Sequence, residues 1–565
     1  MNWTWIYRLT HKGILKFTDS ELFSMQNKPI NEPSSDSAAS RTKAFSEIQE
    51  DLVVRQQRQR LFPRAALVGL GAGLIASLFR AVLAGADTLR NALVAWSQQF
   101  QLWGWIFPLL FSMTGAILSV MLVIRCAPET SGSGIPHLKA VLHRLRTLKW
   151  TRVLPVKFVS GALAIGGGLA LGREGPTVQI GGAVGAAISS WLKAPPREQR
   201  TLIAAGAGAG LAAAFNAPLA GVMFVLEEIQ RDFHPYVFGA VFLAAAIADI
   251  VVRLISGPLP VLLVPNYAAP AIVSLPIFAL LGLLAGLLGV VFNRSLLGTL
   301  GVFDRFKGRF KLGLAANVGA IIGIVGWFSP IAIGGGQSLA VLVLAGKLTL
   351  TAILLLFVIR FFLTISSYGS GASGGIFSPL LALGALFGLA LGQIAHYYVP
   401  AIAPEPGVFA VVGMAAYFAA IVRAPLTGVV LIVEMTGDYQ QMLPLLISCF
   451  CAYAVAELMR DLPIYEALLE RDLVRDGTQI SMKEPMVIDF EIEQGAPFAG
   501  QEVKMLRLPP GCLLVRCVEG GREFVPTAQT RLEDNMKITA IIAPEASECL
   551  SILRHGCGIN RAGKS

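Results

Sequence analysis

Charge is scarce in this chain. Only 15% of its 565 residues are Asp, Glu, Lys or Arg, against 54% hydrophobic, and the mean hydropathy is +0.64. That balance excludes a large soluble protein and indicates a polytopic membrane protein. Whole stretches (158–172, 175–192 and 361–395) carry no charged residue. Cysteine is scarce as well. Seven, an odd number, make no disulfide framework: Cys126, Cys449 and Cys451 lie in or beside apolar segments, and Cys512, Cys517, Cys549 and Cys557 in a polar tail. No pair has metal spacing with a histidine partner, so free thiols in a reducing compartment, no metal and no cofactor are expected. Nucleotide loops are missing too. The glycine clusters at 166–168 and 206–210 have neither a strand–loop–helix setting with a later acidic residue nor a following Gly-Lys-Ser/Thr, which speaks against an enzyme.

What is present is apolar, glycine-rich and basic. The formal charge of +10 marks cytoplasmic loops, not nucleic-acid binding. Arg55, Arg58, Arg60 and Arg64 abut the first apolar run and place the N-terminus in the cytoplasm. Lys139, Arg144, Arg146, Lys149, Arg152 and Lys157 read as a cytoplasmic loop, so Ser133 faces the inner half of the membrane. Residues 1–61 form a polar arm, flexible around 31–41 and without a signal-peptide pattern. A helical domain over 62–475 follows, with halves at about 62–256 and 275–458 and a last helix near 462–475. Its apolar segments are uneven, several too short to span, which predicts tilted and re-entrant helices. The 58 glycines suit close packing of such helices.

Gly172-Arg173-Glu174-Gly175-Pro176 lies between two of the uncharged runs. A charge at membrane depth costs roughly 2.5–3.5 kcal/mol or more, so the pair marks a functional site. Gly175 and Pro176 suit the start of a helix, with free N–H groups and a positive dipole end offered to an anion. A polar loop between two spans is the plainer alternative.

The halves repeat. Pro176, Gly181, Gly185, Gly210, Ala212, Ala213 and Phe215 find the same residue 203 positions later. After a four-residue insertion, the stretch from Asn216 to Glu228 matches that from Arg423 to Met435. Glu227 thus pairs with Glu434 as a structural position, whereas Glu228 is peculiar to the first half; a solvated acid at a helix end is the alternative for Glu228. The counterpart of the charged motif is Gly374-Gly375-Ile376-Phe377-Ser378-Pro379, with Phe377 where Glu174 stands. Two helix N-termini then face one site between the halves, or else the second motif is a glycine-rich packing face.

Gly132-Ser133-Gly134-Ile135-Pro136 and these two motifs, in this order and with Tyr465 late in the apolar region, resemble the CLC family of chloride channels and chloride/proton antiporters over about 60–470. The resemblance implies an all-α polytopic membrane protein, an inverted repeat of tilted and re-entrant helices, and a homodimer with an anion path in each subunit. It implies a chloride site at Ser133, Gly134, Ile376, Phe377 and Tyr465, the hydroxyls of Ser133 and Tyr465 and the amides of Ile376 and Phe377 contacting the central anion. Glu174 would be the gate and, with Glu228, would carry protons. A proline at Ser133's position resembles nitrate-preferring members. For Tyr465 alone, an interfacial tyrosine is the commoner explanation. Glu228 favours a chloride/proton antiporter over a passive chloride channel. His137, Leu138 and Lys139 replace acidic residues that some bacterial members have there, leaving the ionic neighbours of the proton route open. A prokaryotic plasma membrane with both termini cytoplasmic is the expected location.

Residues 478–565 turn soluble in composition and read as a small α+β domain resembling the C-terminal subdomain of potassium-conductance regulators. It is expected in the cytoplasm, either binding a small regulatory ligand or reinforcing a dimer.

Overall fold

The computed structural model describes residues 35–475 and 486–558, apart from 101, 232, 259, 263, 266, 307, 347, 404, 520–521, 544–545 and 547; of 35–58 and of Met486 it describes the backbone alone. The chain divides into units 1–60 and 61–565. Of the polar arm, residues 1–34 lie outside the described residues. Its remainder is helical: α1 runs over Ser35–Ser97. From Ala38 to Phe62 this stretch has no glycine or proline and is rich in Ala, Glu, Gln, Arg and Leu, the strongest helix formers.

The first half continues with α2 (Ile106–Cys126), α3 (Ile135–Leu142), α4 (Trp150–Gly166), α5 (Glu174–Trp191), α6 (Pro196–Phe215), α7 (Pro218–Phe224) and α8 (Pro235–Ser256). The second has α9 (Leu275–Phe303), α10 (Arg309–Phe328), α11 (Gln337–Leu344), α12 (Leu350–Gly369), α13 (Phe377–Tyr398), α14 (Pro406–Val422), α15 (Pro425–Thr436) and α16 (Met442–Leu458), with α17 (Ile464–Arg475) after it. Proline opens α6, α7, α8, α14 and α15, where its missing N–H sacrifices no helical bond. Among the described residues, seven helices are long and apolar enough to cross a membrane, and α14, α15 and α16 are shorter apolar helices.

The repeat extends beyond the residues whose identity reveals it. The two halves have the same order of helices, and their ends match. α3 and α11 are eight residues each and follow a left-handed glycine, Gly134 (φ 79°) and Gly336 (φ 88°). α6 and α14 end on left-handed Asn216 and Arg423. The matched glycines are crossing points: a Cβ at Gly181 would stand 2.1 Å from the Gly206 carbonyl oxygen, and one at Gly384 2.5 Å from that of Gly413. Backbone approach of this kind lets helices pack without a large side chain between them.

Glu227 and Glu434 close the repeat. The Glu227 carboxylate accepts from the Leu426 and Thr427 amides at 3.1 and 2.7 Å, and from the Thr427 hydroxyl at 2.7 Å. The Glu434 carboxylate accepts from the Leu219 and Ala220 amides at 3.1 and 2.8 Å. Each acid therefore caps the first turn of the other half's short helix, satisfying donors that have no intrahelical partner.

The tail forms an antiparallel sheet of β1 (Met486–Glu491), β2 (Cys512–Glu519), β3 (Arg522–Phe524) and β4 (Lys537–Ile542), ordered β1-β4-β2-β3, with helix α18 (Cys549–Gly556). Phe490, Ile492, Leu514, Ile538, Ala540 and Leu553 form its core. The reading of all seven cysteines as free thiols is corrected here. Cys512 and Cys549 are joined as a disulfide, with Cα atoms 6.5 Å apart, linking the start of β2 to the start of α18. The pairing is a tertiary contact across 37 residues, which cysteine spacing alone does not reveal. Cys126, Cys449, Cys451, Cys517 and Cys557 are free.

Candidate functional site

Three backbone segments meet where the motifs predict a site. The Gly132 amide donates to the Ala372 carbonyl at 3.1 Å, and the Gly374 amide to the Gly132 carbonyl at 2.9 Å. Gly172 and Gly375 exchange both of their backbone hydrogen bonds, at 2.6 and 2.8 Å, as an isolated antiparallel bridge. The starts of α3, α5 and α13 are thereby pinned together. Glycine is what permits it: a Cβ on Gly175 would lie 2.8 Å from the Ser133 Cβ and 3.0 Å from the Gly375 Cα.

Lys157 holds this junction from behind. It is fully buried on α4, and its ammonium donates to the Gly132 and Thr130 carbonyls at 2.6 and 2.9 Å. Lys139 is also buried, on α3, and pairs with Glu228 at 2.7 Å. The basic stretch is thus not one solvated loop. Arg144, Arg146, Lys149 and Arg152 line a cavity of about 590 Å³, whereas the two outlying lysines turn into the protein toward acceptors. Helical placement of each lysine, rather than local composition, makes that division.

Ser133, Gly134, Glu174, Ile376, Phe377 and Tyr465 all lie in the buried interior around the junction. The Ser133 hydroxyl accepts from the Ile135 amide at 3.3 Å, and as a hydroxyl it can also donate. The Ser133 amide donates to the Tyr368 hydroxyl at 3.5 Å, and Tyr368 lines the 590 Å³ cavity. Gly134 has no room for a side chain, since a Cβ would meet the Gln179 amide oxygen at 2.1 Å. The Phe377 ring packs among Phe418, Phe215 and Phe224, at centroid distances of 4.4, 5.3 and 5.8 Å. Its backbone starts α13, so the first amides of that helix lack intrahelical acceptors. Tyr465 packs edge-on to Phe224, and its buried hydroxyl has no hydrogen-bond partner among the described residues.

Glu174 crosses from one half to the other. It is 2% exposed, and its carboxylate accepts from the Ser378 hydroxyl at 2.5 Å and from the Ser378 amide at 3.4 Å. A carboxylate therefore sits on the N-terminus of α13, the position that suits any anion. Arg173 is turned aside, its guanidinium donating to the Ala214 carbonyl at 3.3 Å and standing 3.9 Å from Glu174. Glu174 and Ser378 border a second cavity of about 630 Å³, which Arg80, Arg90 and Arg173 also line.

Glu228 lies apart from this junction, fully buried in a π-helical turn, Val225–Ile229, that continues α7. Such turns often accompany functional positions because the extra residue re-aims side chains. Lys139 also stands 3.8 Å from Glu466, which pairs with Arg231, and Arg231 is 4.0 Å from Glu228. Sequence reasoning missed Ser378, Tyr368, Lys139 and Lys157 as parts of the site. Ser378 lay inside a quoted motif, and Lys139 departed from the family's acidic pattern; those were the available signals.

Residues 114–457, more than half of the chain, match the family described as voltage gated chloride channel. The chain belongs to the CLC family. Residues 487–550 match the TrkA-C domain, so this CLC protein carries that domain behind its helices. It is 44% identical over 421 residues to the H(+)/Cl(-) exchange transporter ClcA of Vibrio cholerae serotype O1, covering 73% of this chain and 90% of that protein. To the ClcA exchange transporter of Vibrio parahaemolyticus it is 42% identical over 419 residues, again covering 73% and 90%. Among solved structures, a slow cyanobacterial Cl-/H+ antiporter aligns with TM-score 0.72 and 38% identity, covering 74% of this chain and 99% of that one. The CLC fold, an integral membrane bundle followed by a small α+β domain, is thereby the fold of this chain.

Proposed function

We propose that this CLC protein exchanges chloride for protons across a membrane, with Glu174 as the gate of the anion path and Glu228 as the internal proton relay. The observation that carries this reading is the seat of Glu174. Its carboxylate occupies the N-terminus of α13 between the two halves, bonded to Ser378, where a chloride ion would otherwise be held. Protonation removes the negative charge that the helix end attracts, so the side chain leaves and an anion takes its place. One carboxylate then serves as gate and as proton carrier.

Chloride is held by hydroxyls and amides, those of Ser133, Tyr465, Ile376 and Phe377, with Gly134 shaping the turn beneath Ser133. Donors without full positive charge bind an anion tightly enough to replace water and weakly enough to release it. The 590 Å³ cavity is lined by Gly132, Gly134 and Tyr368, the neighbours of Ser133, and the 630 Å³ cavity by Glu174; on this reading the first opens to the cytoplasm and the second to the opposite side. Protons take a different way. Arg231 and Glu466 border a third cavity of about 750 Å³, and from there the Lys139–Glu228 pair is one step inward. A proton reaching Glu228 must displace Lys139, which ties proton movement to a rearrangement of this buried pair. The relatives named as exchangers support the same reading.

The subunit works as a homodimer in a plasma membrane with both termini cytoplasmic, and the TrkA-C domain tunes transport through a small ligand. The deciding experiment imposes a chloride gradient on proteoliposomes and follows internal pH with a dye. Uphill proton movement driven by chloride is the expected result; chloride flux without it identifies a passive channel instead.

A further inference from the structure

Ser378 is the residue of the second half that touches the gate, and nothing in the motif comparison gives it a task. Among the described residues it supplies both hydrogen bonds that the Glu174 carboxylate accepts, and the hydroxyl contact is much the shorter, 2.5 Å against 3.4 Å for the amide. Ser378 is half-buried and lines the 630 Å³ cavity beside Glu174, so the contact lies where water and anions arrive. A serine hydroxyl both donates and accepts. It donates to the ionised carboxylate, and after protonation it can rotate to accept from the acid. A hydrogen bond donated to a carboxylate favours the charged form.

The other groups facing Glu174 do not replace it. Arg80, Asp87 and Arg90 of α1 line the same cavity, and no hydrogen bond joins any of them to the Glu174 carboxylate. Arg173 stands at 3.9 Å and is committed to the end of α6. Tyr465 on α17 has a buried hydroxyl without a partner among the described residues, and Gln337 and Ser338 at the start of α11 are uncharged. From α13 itself, among the described residues, only Ser378 hydrogen-bonds to the Glu174 carboxylate.

We propose that Ser378 is a positioning residue for the gate: its hydroxyl holds the ionised Glu174 side chain on the N-terminus of α13 and so sets the pH at which the anion path opens. This rests on reading Glu174 as the gate. With the hydroxyl gone, the charged, closed gate loses a donor while the protonated, open one loses less. The flux profile then moves toward alkaline values.

The test is the pH profile of chloride flux in proteoliposomes for wild type, Ser378→Ala, Ser378→Thr, Glu174→Gln and the Glu174→Gln/Ser378→Ala double variant. Alanine is smaller than serine and favoured in helices, so Ser378→Ala retains the start of α13. The expected result is a rise of about one pH unit in the midpoint for Ser378→Ala, from a charge-assisted hydrogen bond of ordinary strength. Threonine keeps the hydroxyl and returns the wild-type midpoint. In the Glu174→Gln background, Ser378→Ala adds nothing. A Ser378→Ala profile that superimposes on wild type overturns the inference, as does a shift that persists without Glu174. If Glu174→Gln itself keeps the wild-type pH dependence, the gate reading falls, and that outcome is separate from the others.

Discussion

Glu227 and Glu434 stand at the same place in the two halves and do the same thing, each capping the other half's short helix. One residue further along the halves part company: Glu228 holds Lys139 in the first, and the second has Met435. The same division recurs at the start of α5 and α13, where Glu174 in one half corresponds to Phe377 in the other. Glu174 reaches out to the opposite helix end, while Phe377 is locked among three phenylalanines. Residues common to both halves thus build the scaffold, and the residues that differ are those to which the proposed function gives the ion chemistry. An inverted repeat supplies two helix ends facing one site, and unequal side chains give that site a direction.

That contrast can be broken at several points. The largest effect is expected from Glu174→Gln, which mimics a protonated gate permanently. Chloride flux should become passive and independent of pH, with proton movement at background, as read by paired chloride-electrode and pH-dye traces. Glu228→Gln comes next. It removes the proposed relay without touching the helix ends, so proton uptake should vanish while chloride flux stays of wild-type order in the same assay.

Ser133→Pro removes a hydroxyl and an amide proton at the junction. A hydrogen bond to a charged partner is worth about 1.5–3 kcal/mol, so chloride affinity should fall roughly tenfold or more. Preference should move toward nitrate and proton coupling should loosen; an unchanged ratio of chloride to nitrate flux would remove Ser133 from the path. The shared acids give the sharpest control. Glu227→Ala and Glu434→Ala should each cost about 0.5–2 kcal/mol, the usual value of a helix cap, seen as matching drops in thermal midpoint in detergent. The chloride-to-proton ratio should not change in either, since these acids belong to the scaffold. The smallest effect on transport is expected from ending the chain after Arg475, which deletes the TrkA-C domain and none of the assigned path. Loss of all flux from a truncated protein that is still folded would make the tail part of the transport machinery.

Much of this molecule is legible in one dimension. Uncharged runs, the constant offset between the halves and the three glycine-proline motifs were enough to expect membrane helices, a repeat and two helix ends at one site. These signals are local, set by the water-to-lipid transfer of consecutive side chains and by the backbone freedom of glycine. Glu227 and Glu434 were readable as structural because a cap recurs wherever the repeat places a helix start. What required the tertiary structure were contacts between residues far apart in the chain. Lys139 and Lys157 look like members of a cytoplasmic patch until folding buries them, one against Glu228 and one beneath Gly132. The Cys512–Cys549 bond and the hold of Ser378 on Glu174, which joins residues 204 positions apart, are of the same kind. A side chain's partner at that separation is decided by how whole helices pack, and no pattern of neighbouring residues encodes it.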